Sequence, residues 1–461
     1  MRDFMNFFMR MFGMNVYQMS TLELVGTLVS SAVGLLFTVL YFYQFVYVFV
    51  AIIHKPKKYP ETDQTKRYGV IIAARNEEKV LPELLKSIKG QTYPAENISI
   101  FVVADNCTDA TAEVARTYGA TVYERFNKEQ IGKGYALEFL FNHIKEDRGI
   151  RACDAYIVLD ADNVLRNNYI AEMDKAHCVG NRVLTSYRNS KNYGKNWISA
   201  GYALWFLRES RHLNNPRSIL NTSAALSGTG FLVDSAIIER EGGWSCFLLT
   251  EDIQFTVDCI LKGDRVGYCH DAELFDEQPE TFGQSWRQRK RWAKGFFQVI
   301  HNYGTRLFKG SLKRQWSCFD MMMNIMPAFI LSLIQLITTT VLLVVDLVVE
   351  RELSQTLLLG YAVFFVYAYG IFLLLGLIAL ITEWKKIHCP KPKAVLLLLS
   401  FPLFMMTYIP ISLSALFSRV EWKPIEHKHA VSVDAIEQAS VGVAESVADS
   451  ADAAASPEET N

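Results

Sequence analysis

The stretch YGVIIAARNEE at residues 68–78 decides the fold of this chain. Its first part, Tyr68–Ala74, is apolar and rich in residues that favour β structure, which predicts a buried strand. The polar residues Arg75-Asn76-Glu77 follow at once, and Glu77–Lys89 has the apolar spacing of a helix. A buried strand that turns into a helix is the repeating unit of parallel α/β sheets.

The same alternation of strand and helix continues along the chain. Apolar runs predict further strands at Ile98–Ala104, Ala120–Phe126 and Ala155–Leu159, with helices between them at 108–118 and Gly134–Lys145. Residues 66–310 contain no run long enough to span a membrane. We therefore predict a soluble α/β domain over 66–310 with a mostly parallel sheet.

Polar side chains follow three of the predicted strands. Arg75-Asn76-Glu77 comes after the first strand, Asp105 after the second, and Asp160 and Asp162 after the fourth. Each could be a simple turn or helix cap, but ligands of such sheets bind beyond the carboxyl ends of strands, and three coincident ends favour a site. The Asp-x-Asp spacing suits a hard divalent cation, Mg²⁺ or Mn²⁺, bound to phosphate oxygens.

Three further motifs lie downstream. Ser227–Gly230 either lets the backbone approach a ligand closely at Gly228 or is a tight turn. Thr250-Glu251-Asp252 opens a helical stretch, where its acids would also make a good helix start. Residues 284–294 carry five cations and no acid. On a helix Gln288, Arg291 and Trp292 share one face, predicted to meet the site, while the other cations are predicted to face lipid headgroups.

Membrane segments account for the high apolar content. The 461 residues are half hydrophobic, and four runs of 25 residues or more are uncharged: Leu24–Ile53, Met321–Val345, Thr356–Thr382 and Ala394–Ser418. About 20 such residues span a bilayer, so transmembrane helices are predicted at 22–53, 321–345 and 356–382. The segment 394–418 contains Pro402 and Pro410, and we favour a re-entrant or interfacial position over a crossing.

Charges next to these runs predict the orientation. The basic flank His54–Lys58 places the end of the first run in the cytosol by the positive-inside rule. The domain at 66–310 is then cytosolic, in a multi-pass protein of the plasma membrane. Residues 1–21 are compatible with an interfacial segment or with a frayed terminus. The tail at 434–461 is acidic and poor in aromatic residues, which predicts disorder.

Several function classes lose support. The eight cysteines are scattered, as expected for reduced thiols and not for a disulfide framework or a zinc site. Neither a P-loop nor a Gly-x-Gly-x-x-Gly motif follows the first strand. The basic clusters lie beside apolar runs, so no nucleic-acid partner is predicted. The four apolar runs carry no Asp, Glu, His, Lys or Arg, which argues against a transporter or channel.

The ordered set of motifs resembles the membrane-embedded inverting glycosyltransferases of family 2. It comprises ARNEE at 74–78, Asp105, Asp160-x-Asp162, Thr250-Glu251-Asp252 and Gln288-x-x-Arg291-Trp292. Cellulose, hyaluronan and poly-N-acetylglucosamine synthases are similar in this order, and so is ceramide glucosyltransferase. The resemblance implies a GT-A type, Rossmann-like catalytic domain with flanking transmembrane helices, an interfacial helix at about 281–304 and a gating loop at 419–433.

The resemblance also implies roles for individual residues. The residues implied to bind the nucleotide sugar are Ala74, Arg75, Glu77, Asp105, Lys133 and Asp160. The metal would be bound by Asp160 and Asp162. Asp252 would be the general base, and Arg291 would offset charge on the departing diphosphate. The residues implied to bind the acceptor are Gly228, Thr250, Glu251, Gln288 and Trp292.

Two activities fit these roles. The leading hypothesis is a processive synthase that elongates a β-linked polysaccharide from a UDP-sugar, UDP-Glc or UDP-GlcNAc, with membrane lipids around it. The alternative is transfer of a single sugar to a lipid acceptor, because the chain has few helices from which to build a polymer channel. The sequence specifies neither the sugar nor the linkage, and a catalytically inactive scaffold would not need the complete acidic set.

Overall fold

The computed structural model describes residues 21–325, 327–349, 355–420, 427 and 429–438. Its strands are β1 (Tyr68–Ala74), β2 (Ile98–Asp105), β3 (Thr121–Arg125), β4 (Ala155–Asp160), β5 (Val164–Leu165), β6 (Val183–Ser190), β7 (Phe231–Asp234) and β8 (Val266–Asp276). In the described part of the chain they form one sheet of order β3-β2-β1-β4-β7-β6-β8-β5. The predicted interfacial residues 1–20 lie outside the described residues.

The sheet has a parallel half and a mixed half. Strand β1 pairs in parallel with β2 and with β4, placing Tyr68 beside Ile98 and Ala155, and β2 pairs in parallel with β3. Strand β7 runs antiparallel between β4 and β6, while β8 is parallel to β6 and antiparallel to β5. The predicted α/β class is confirmed, and the antiparallel pairings make the sheet mixed.

Helices cover both faces of the sheet. Those of the α/β domain are α2 (Leu81–Lys89), α3 (Thr111–Thr117), α4 (Lys133–Asp147), α5 (Tyr169–Cys178), α6 (Trp197–Arg208), α7 (Asn215–Ile219), α8 (Ser235–Arg240) and α9 (Glu251–Lys262), after α1 (Thr21–Ile53). Helices α4 and α6 bury their apolar residues on one face, and α2 and α5 bury theirs on the other. Because β1, β2 and β4 run parallel, their carboxyl ends lie at one edge of the sheet.

Three described helices are long and apolar enough to cross a membrane. After the basic helix α10 (Phe282–Leu312) come α11 (Trp316–Ile325), α12 (Pro327–Val349) and α13 (Gln355–Thr382). The candidate spans are Glu23–Ile53, Ile330–Val348 and Leu357–Thr382. The expected start of the second span at residue 321 is wrong, because residues 321–325 belong to α11 and pack on α10. A new helix begins at Pro327, whose missing N–H suits a first turn.

The last apolar run forms a bent helix pair. Its first member is α14 (Lys391–Leu398), and its second is the continuous stretch formed by α15 (Phe401–Met406) and α16 (Tyr408–Phe417). The axis turns by 42° between residues 398 and 401. Arg289 of α10 is fully buried against this pair, donating to Phe404 O at 2.9 Å and to Thr407 Oγ1 at 2.8 Å. The expectation that Arg289 faces lipid headgroups is therefore wrong. Its contacts hold the bent pair along α10.

A buried ion pair joins the domain to α1, the first candidate membrane span. Arg217 donates through Nε and Nη2 to the two carboxylate oxygens of Asp320, both at 2.8 Å. Tyr43 and Tyr47 of α1 donate to the same carboxylate at 3.0 and 2.8 Å. All four side chains are buried, so α1, α7 and α11 are held at one point.

We expect Asp320→Ala to lower the free energy of unfolding by ~3–5 kcal/mol, because it leaves Arg217 charged and buried without a partner. The paired change Arg217→Met with Asp320→Leu removes both charges and should cost far less. Thermal unfolding in detergent measures the difference. Equal losses in the two variants would contradict this account of the ion pair.

The C-terminal segment docks on the edge of the sheet. Residues 433–438 form a short helix in which Ile436 is 3% exposed and packs with Val164 and Phe275. Glu437 pairs with Arg166 at 2.5 Å. The expected disordered tail at 434–461 is therefore wrong for 434–438, since an apolar side chain finds a buried place there. Residues 439–461 lie outside the described part of the chain.

Truncation separates the docked segment from the rest of the tail. Removal of residues 430–461 should lower stability by about 1.5–3 kcal/mol, the usual gain from burying an isoleucine side chain. Removal of residues 439–461 should leave the unfolding midpoint unchanged. The single change Ile436→Asp in the full chain should reproduce the larger loss. If all three variants unfold with the wild type, the segment contributes nothing.

Candidate active site

One continuous cavity of about 1850 Å³ collects the residues singled out from the sequence. It is lined by Ala74, Arg75, Glu77, Asp105, Lys133, Asp160, Asp162, Gly228, Thr250, Glu251, Asp252, Gln288, Arg291 and Trp292. They come from seven separate stretches of the chain, at 74–77, 105, 133, 160–162, 228, 250–252 and 288–292. The cavity exceeds the ~300–1,000 Å³ of an ordinary small-molecule site, and it continues between α1, α12 and α13.

Two asparagines turn the chain at the ends of the first strands. Asn76 after β1 and Asn106 after β2 adopt left-handed backbone angles, with φ of 58° and 53°. Asparagine tolerates this conformation better than most residues. The Asn76 Oδ1 atom accepts from Thr108 N at 2.8 Å, which ties the two turns together. Asp105 is held at the cavity edge by Arg125 Nη1 at 2.7 Å.

The Asp-x-Asp turn after β4 is braced from several sides. The backbone N–H of Asp160 donates to Asn163 Oδ1 at 3.1 Å and to Thr229 Oγ1 at 2.9 Å. Lys133 forms an ion pair with Asp160 and donates to Gly228 O at 2.8 Å. Burial lowers the pKa of Lys133, but the carboxylates of Asp160 and Glu251 outweigh it and the pKa is raised. Lys133 therefore remains a cation beside this turn.

The acidic side chains of the turn fit a divalent cation only in part. Carboxylates are suitable ligands for Mg²⁺ and Mn²⁺. Asp162 is buried, and its Oδ2 lies 3.8 Å from His427 Nε2. Within the described ranges no group of three or more Asp, Glu, His or Cys side chains could hold a metal by itself. A cation here would depend on oxygens of a bound diphosphate to complete its coordination.

Asp252 lies at the start of α9, facing Gly228. Gly228 has a φ of +87°, and a Cβ at this position would lie 3.9 Å from Asp252 Oδ2. Burial raises the pKa of Asp252, against the opposing effects of Lys133 and Arg291. Burial, reinforced by Asp252, raises the pKa of Glu251 to about 7. A buried carboxylate with a raised pKa, open to a cavity, is well suited to accept a proton.

Helix α10 brings Gln288, Arg291 and Trp292 to the opposite wall of the cavity. Gln288 Oε1 is buried without a hydrogen-bond partner among the described residues, and Arg291 Nη1 donates to Leu249 O at 2.8 Å. Trp292 packs edge-on against Tyr202, with ring centroids 5.8 Å apart. Gly295 lets α10 lie close to Thr250, because a Cβ at position 295 would meet Thr250 Oγ1 at 2.5 Å.

Arg291→Ala should lower turnover by ~10²-fold, the usual effect of losing a donor that stabilises developing charge. Arg306 provides a matched control, since it is exposed on the same helix and does not line the cavity. Arg306→Ala should retain activity. Initial rates with both variants in the same detergent measure the effect. If both variants lose membrane association to the same extent and nothing else, Arg291 belongs to a basic surface and not to an active site.

Sequence reasoning missed several side chains in the cavity wall. Arg188, at the end of β6, forms an ion pair with Asp276 and lies 3.7 Å from the Phe206 ring centroid. Glu209 begins a π-helical turn, and burial raises its pKa to about 7. The strand-end rule could have found Arg188 and Asp276 had β6 and β8 been predicted. No sequence signal marks the π turn, although such turns are frequent at functional sites.

His427 also reaches the cavity, from the C-terminal segment. Its Nδ1 lies 2.9 Å from Glu77 Oε1. Burial lowers the pKa of His427, but Asp162 and Glu77 raise it to about 10, so the imidazole is protonated. Three described residues of the expected gating loop at 419–433 therefore line the cavity: Arg419, Val420 and His427. Residues 421–426 and 428 lie outside the described part of the chain.

Comparison with known proteins identifies the domain. Residues 66–295, half of the chain, match the family model described as "Glycosyltransferase like family 2". This is a family 2 glycosyltransferase domain. The match begins at the same residue as the α/β domain predicted at 66–310 and ends at residue 295. The resemblance inferred from the motifs is confirmed.

Relatives of this glycosyltransferase differ in product. It is 25% identical over 389 residues to the probable glycosyltransferase YdaM of Bacillus subtilis, which covers 79% of this chain and 86% of that protein. It is 26% identical over 273 residues to a beta-monoglucosyldiacylglycerol synthase of Nostoc, covering 57% and 56%. It is 25% identical over 247 residues to a poly-beta-1,6-N-acetyl-D-glucosamine synthase of Staphylococcus epidermidis, covering 52% and 57%. The chain thus spans little more than half the length of the beta-monoglucosyldiacylglycerol synthase and of the poly-beta-1,6-N-acetyl-D-glucosamine synthase.

A solved structure confirms the GT-A fold of the glycosyltransferase. A mannosyltransferase of Pyrobaculum calidifontis, in complex with GDP-Man and Mn²⁺, superposes with a TM-score of 0.56 at 14% identity. The match covers 86% of this chain and 99% of that one. At this identity the likeness concerns the fold alone.

Proposed function

We propose that this glycosyltransferase moves a sugar, with inversion, from a nucleotide sugar to an acceptor hydroxyl at the cytosolic face of the plasma membrane. The observation that carries the proposal is the single cavity that joins the ends of β1, β2 and β4 to the start of α9 and to α10. Asp252 takes the proton of the acceptor hydroxyl as its oxygen attacks the anomeric carbon. A single displacement of this kind inverts the configuration.

The donor is held on the sheet side of the cavity. Asp105 binds the uracil and ribose, with Ala74, Arg75 and Glu77 forming the floor beside them. Lys133 and Arg291 offset negative charge on the diphosphate as it departs. Asp160 and Asp162 would hold Mg²⁺ or Mn²⁺, which supplies further charge neutralisation for the diphosphate when bound.

The acceptor lies on the side of α10. Gln288 has a buried amide oxygen free to accept from a sugar hydroxyl, and Trp292 offers a flat apolar surface for stacking. Thr250 and Glu251 complete this wall, and Gly228 allows the acceptor close to Asp252. A growing β-linked polysaccharide fits this arrangement, and it is our first candidate for the acceptor.

A lipid acceptor is the second candidate, and the membrane part of the cavity favours it. There the lining includes Phe37 of α1, Leu331 of α12, and Val363, Phe364 and Ile371 of α13. These apolar side chains suit a hydrocarbon chain better than a hydrated glycan. Transfer would then end after one sugar.

Product size separates the two candidates. The purified full chain is incubated with UDP-Glc or UDP-GlcNAc in lipid vesicles containing diacylglycerol, and products are sized by chromatography and mass spectrometry. Long oligomers support polysaccharide elongation. A single sugar on the lipid supports the second candidate. No transfer from either nucleotide sugar would reject both candidates with these donors.

The orientation rests on charge and can be tested separately. A cysteine at position 440 in a cysteine-free background should resist an impermeant thiol reagent applied to intact cells, and should react after lysis. Labelling from outside would place the tail on the outer face and remove the gating role proposed for the segment around His427.

A further inference from the structure

One buried cation in the cavity wall has no acidic partner among the described residues. Arg208 ends α6, is 4% exposed, and lines the cavity. Its Nη2 donates to Gln44 Oε1 of α1 at 2.7 Å, and Nε has no hydrogen-bond partner in the described part of the chain. No carboxylate of the described residues lies within 4.0 Å of its guanidinium.

Such a cation is costly unless an anion joins it. A buried charge with only a neutral partner loses its hydration without a compensating ion pair. Burial accordingly lowers the pKa of Arg208 to about 10, which still leaves it protonated at neutral pH. The neighbouring Glu209 favours the cation through its charge but forms no ion pair with it among the described contacts. The guanidinium fork therefore has room for an anionic ligand.

The place of Arg208 in the fold indicates the kind of anion. It lies where the catalytic domain meets α1, and the same cavity wall includes Gln44, Leu213 and Met323. Tyr43 and Tyr47 of α1 and Trp316 form an aromatic cluster at the same level, with Trp316 Nε1 donating to Tyr47 OH at 2.7 Å. Tyrosine and tryptophan gather at the level of lipid headgroups. Beyond this level the cavity continues between α1, α12 and α13, lined mainly by apolar side chains.

We propose that Arg208 and Gln44 form a binding site for the phosphate group of a membrane phospholipid, whose chains lie in the cavity between α1, α12 and α13. A guanidinium binds phosphate through paired hydrogen bonds, which makes arginine well suited to this contact. The Trp205 ring, 5.2 Å from the guanidinium, limits its movement. The phosphate contact does not depend on which sugar is transferred, whereas a lipid acceptor would share the same apolar part of the cavity.

Two lipids with the same chains test the role of the phosphate. The full chain, purified in a neutral detergent, is titrated with dioleoyl phosphatidylglycerol or with dioleoylglycerol, and bound lipid is counted by native mass spectrometry. A hydrogen-bonded charge contact is typically worth about tenfold in affinity, so the wild type should prefer phosphatidylglycerol by about that factor. Equal binding of the two lipids would overturn the proposal.

Variants tie the preference to Arg208. Arg208→Gln should lose the preference while its affinity for dioleoylglycerol stays the same, and Arg208→Lys should keep part of it. The matched control Arg306→Gln removes an exposed cation of α10 and should leave the preference intact. An equal loss in the control would assign the preference to surface charge and contradict the site. UDP binding by Arg208→Gln checks that the variant is folded.

Inorganic phosphate distinguishes a lipid from a free anion. Added in the millimolar range, it should fail to displace phosphatidylglycerol, since the lipid chains contribute to binding. Displacement by phosphate alone would mean that Arg208 serves a soluble anion, the nucleotide diphosphate included, and would overturn the lipid proposal.

Discussion

Asp252→Asn should abolish transfer while leaving nucleotide-sugar binding intact. A general base contributes ~10²–10⁴-fold to rate, and the loss should be at least that large. The donor is held by β1, β2 and β4 in this account, so its affinity should not change. Initial rates and calorimetric binding of UDP measure the two quantities separately.

A matched control lies on the same helix. Asp258 is on α9 but pairs with Lys262 at 2.5 Å and does not line the cavity. Asp258→Asn should therefore keep its activity. If Asp252→Asn retains most of its rate, Asp252 is no more than a favourable acid at the start of a helix.

Removal of the divalent cation should have the second largest effect. Chelation should abolish transfer, and Mg²⁺ or Mn²⁺ should restore it, if the cation is held as proposed between Asp160, Asp162 and the diphosphate. The described residues offer no set of three protein ligands that would hold it without the diphosphate. For the same reason Mn²⁺ should bind much more tightly when UDP is present. Electron paramagnetic resonance of Mn²⁺ measures this independently of activity.

The control for the cation site lies at the other end of β4. Asp154 precedes this strand and accepts from Arg67 N at 2.7 Å. Asp162→Asn should lose UDP-dependent Mn²⁺ binding, and Asp154→Asn should keep it. Full activity in chelator, or normal Mn²⁺ binding by Asp162→Asn, would remove the cation from the assignment.

The parallel half of the sheet could be predicted because its strands are continuous apolar runs. The bounds of β1 agree with the expected Tyr68–Ala74, and β4 differs by one residue at its end. Residues that end such strands necessarily meet at one edge, so local sequence was enough to bring Asp105 and Asp160 together. The shared cavity is a consequence of strand direction.

The mixed half depends on partners far away in the chain. Strand β8 contains the buried Glu273, a residue that does not suggest a sheet interior. Its carboxylate is neutralised by Arg166 and by Lys386, the latter at 2.6 Å. Arg289 is a similar case, because its aromatic and backbone partners lie more than a hundred residues later. Periodicity along the sequence carries no information about such pairs.

The most direct test of the central claim is the configuration of the product. The purified chain is supplied with an α-linked UDP-sugar and the acceptor that supports turnover, and the new linkage is analysed by nuclear magnetic resonance. A β linkage, absent with Asp252→Asn, is the result expected from one displacement assisted by one base. An α linkage, or release of UDP with no sugar transferred, would contradict the account.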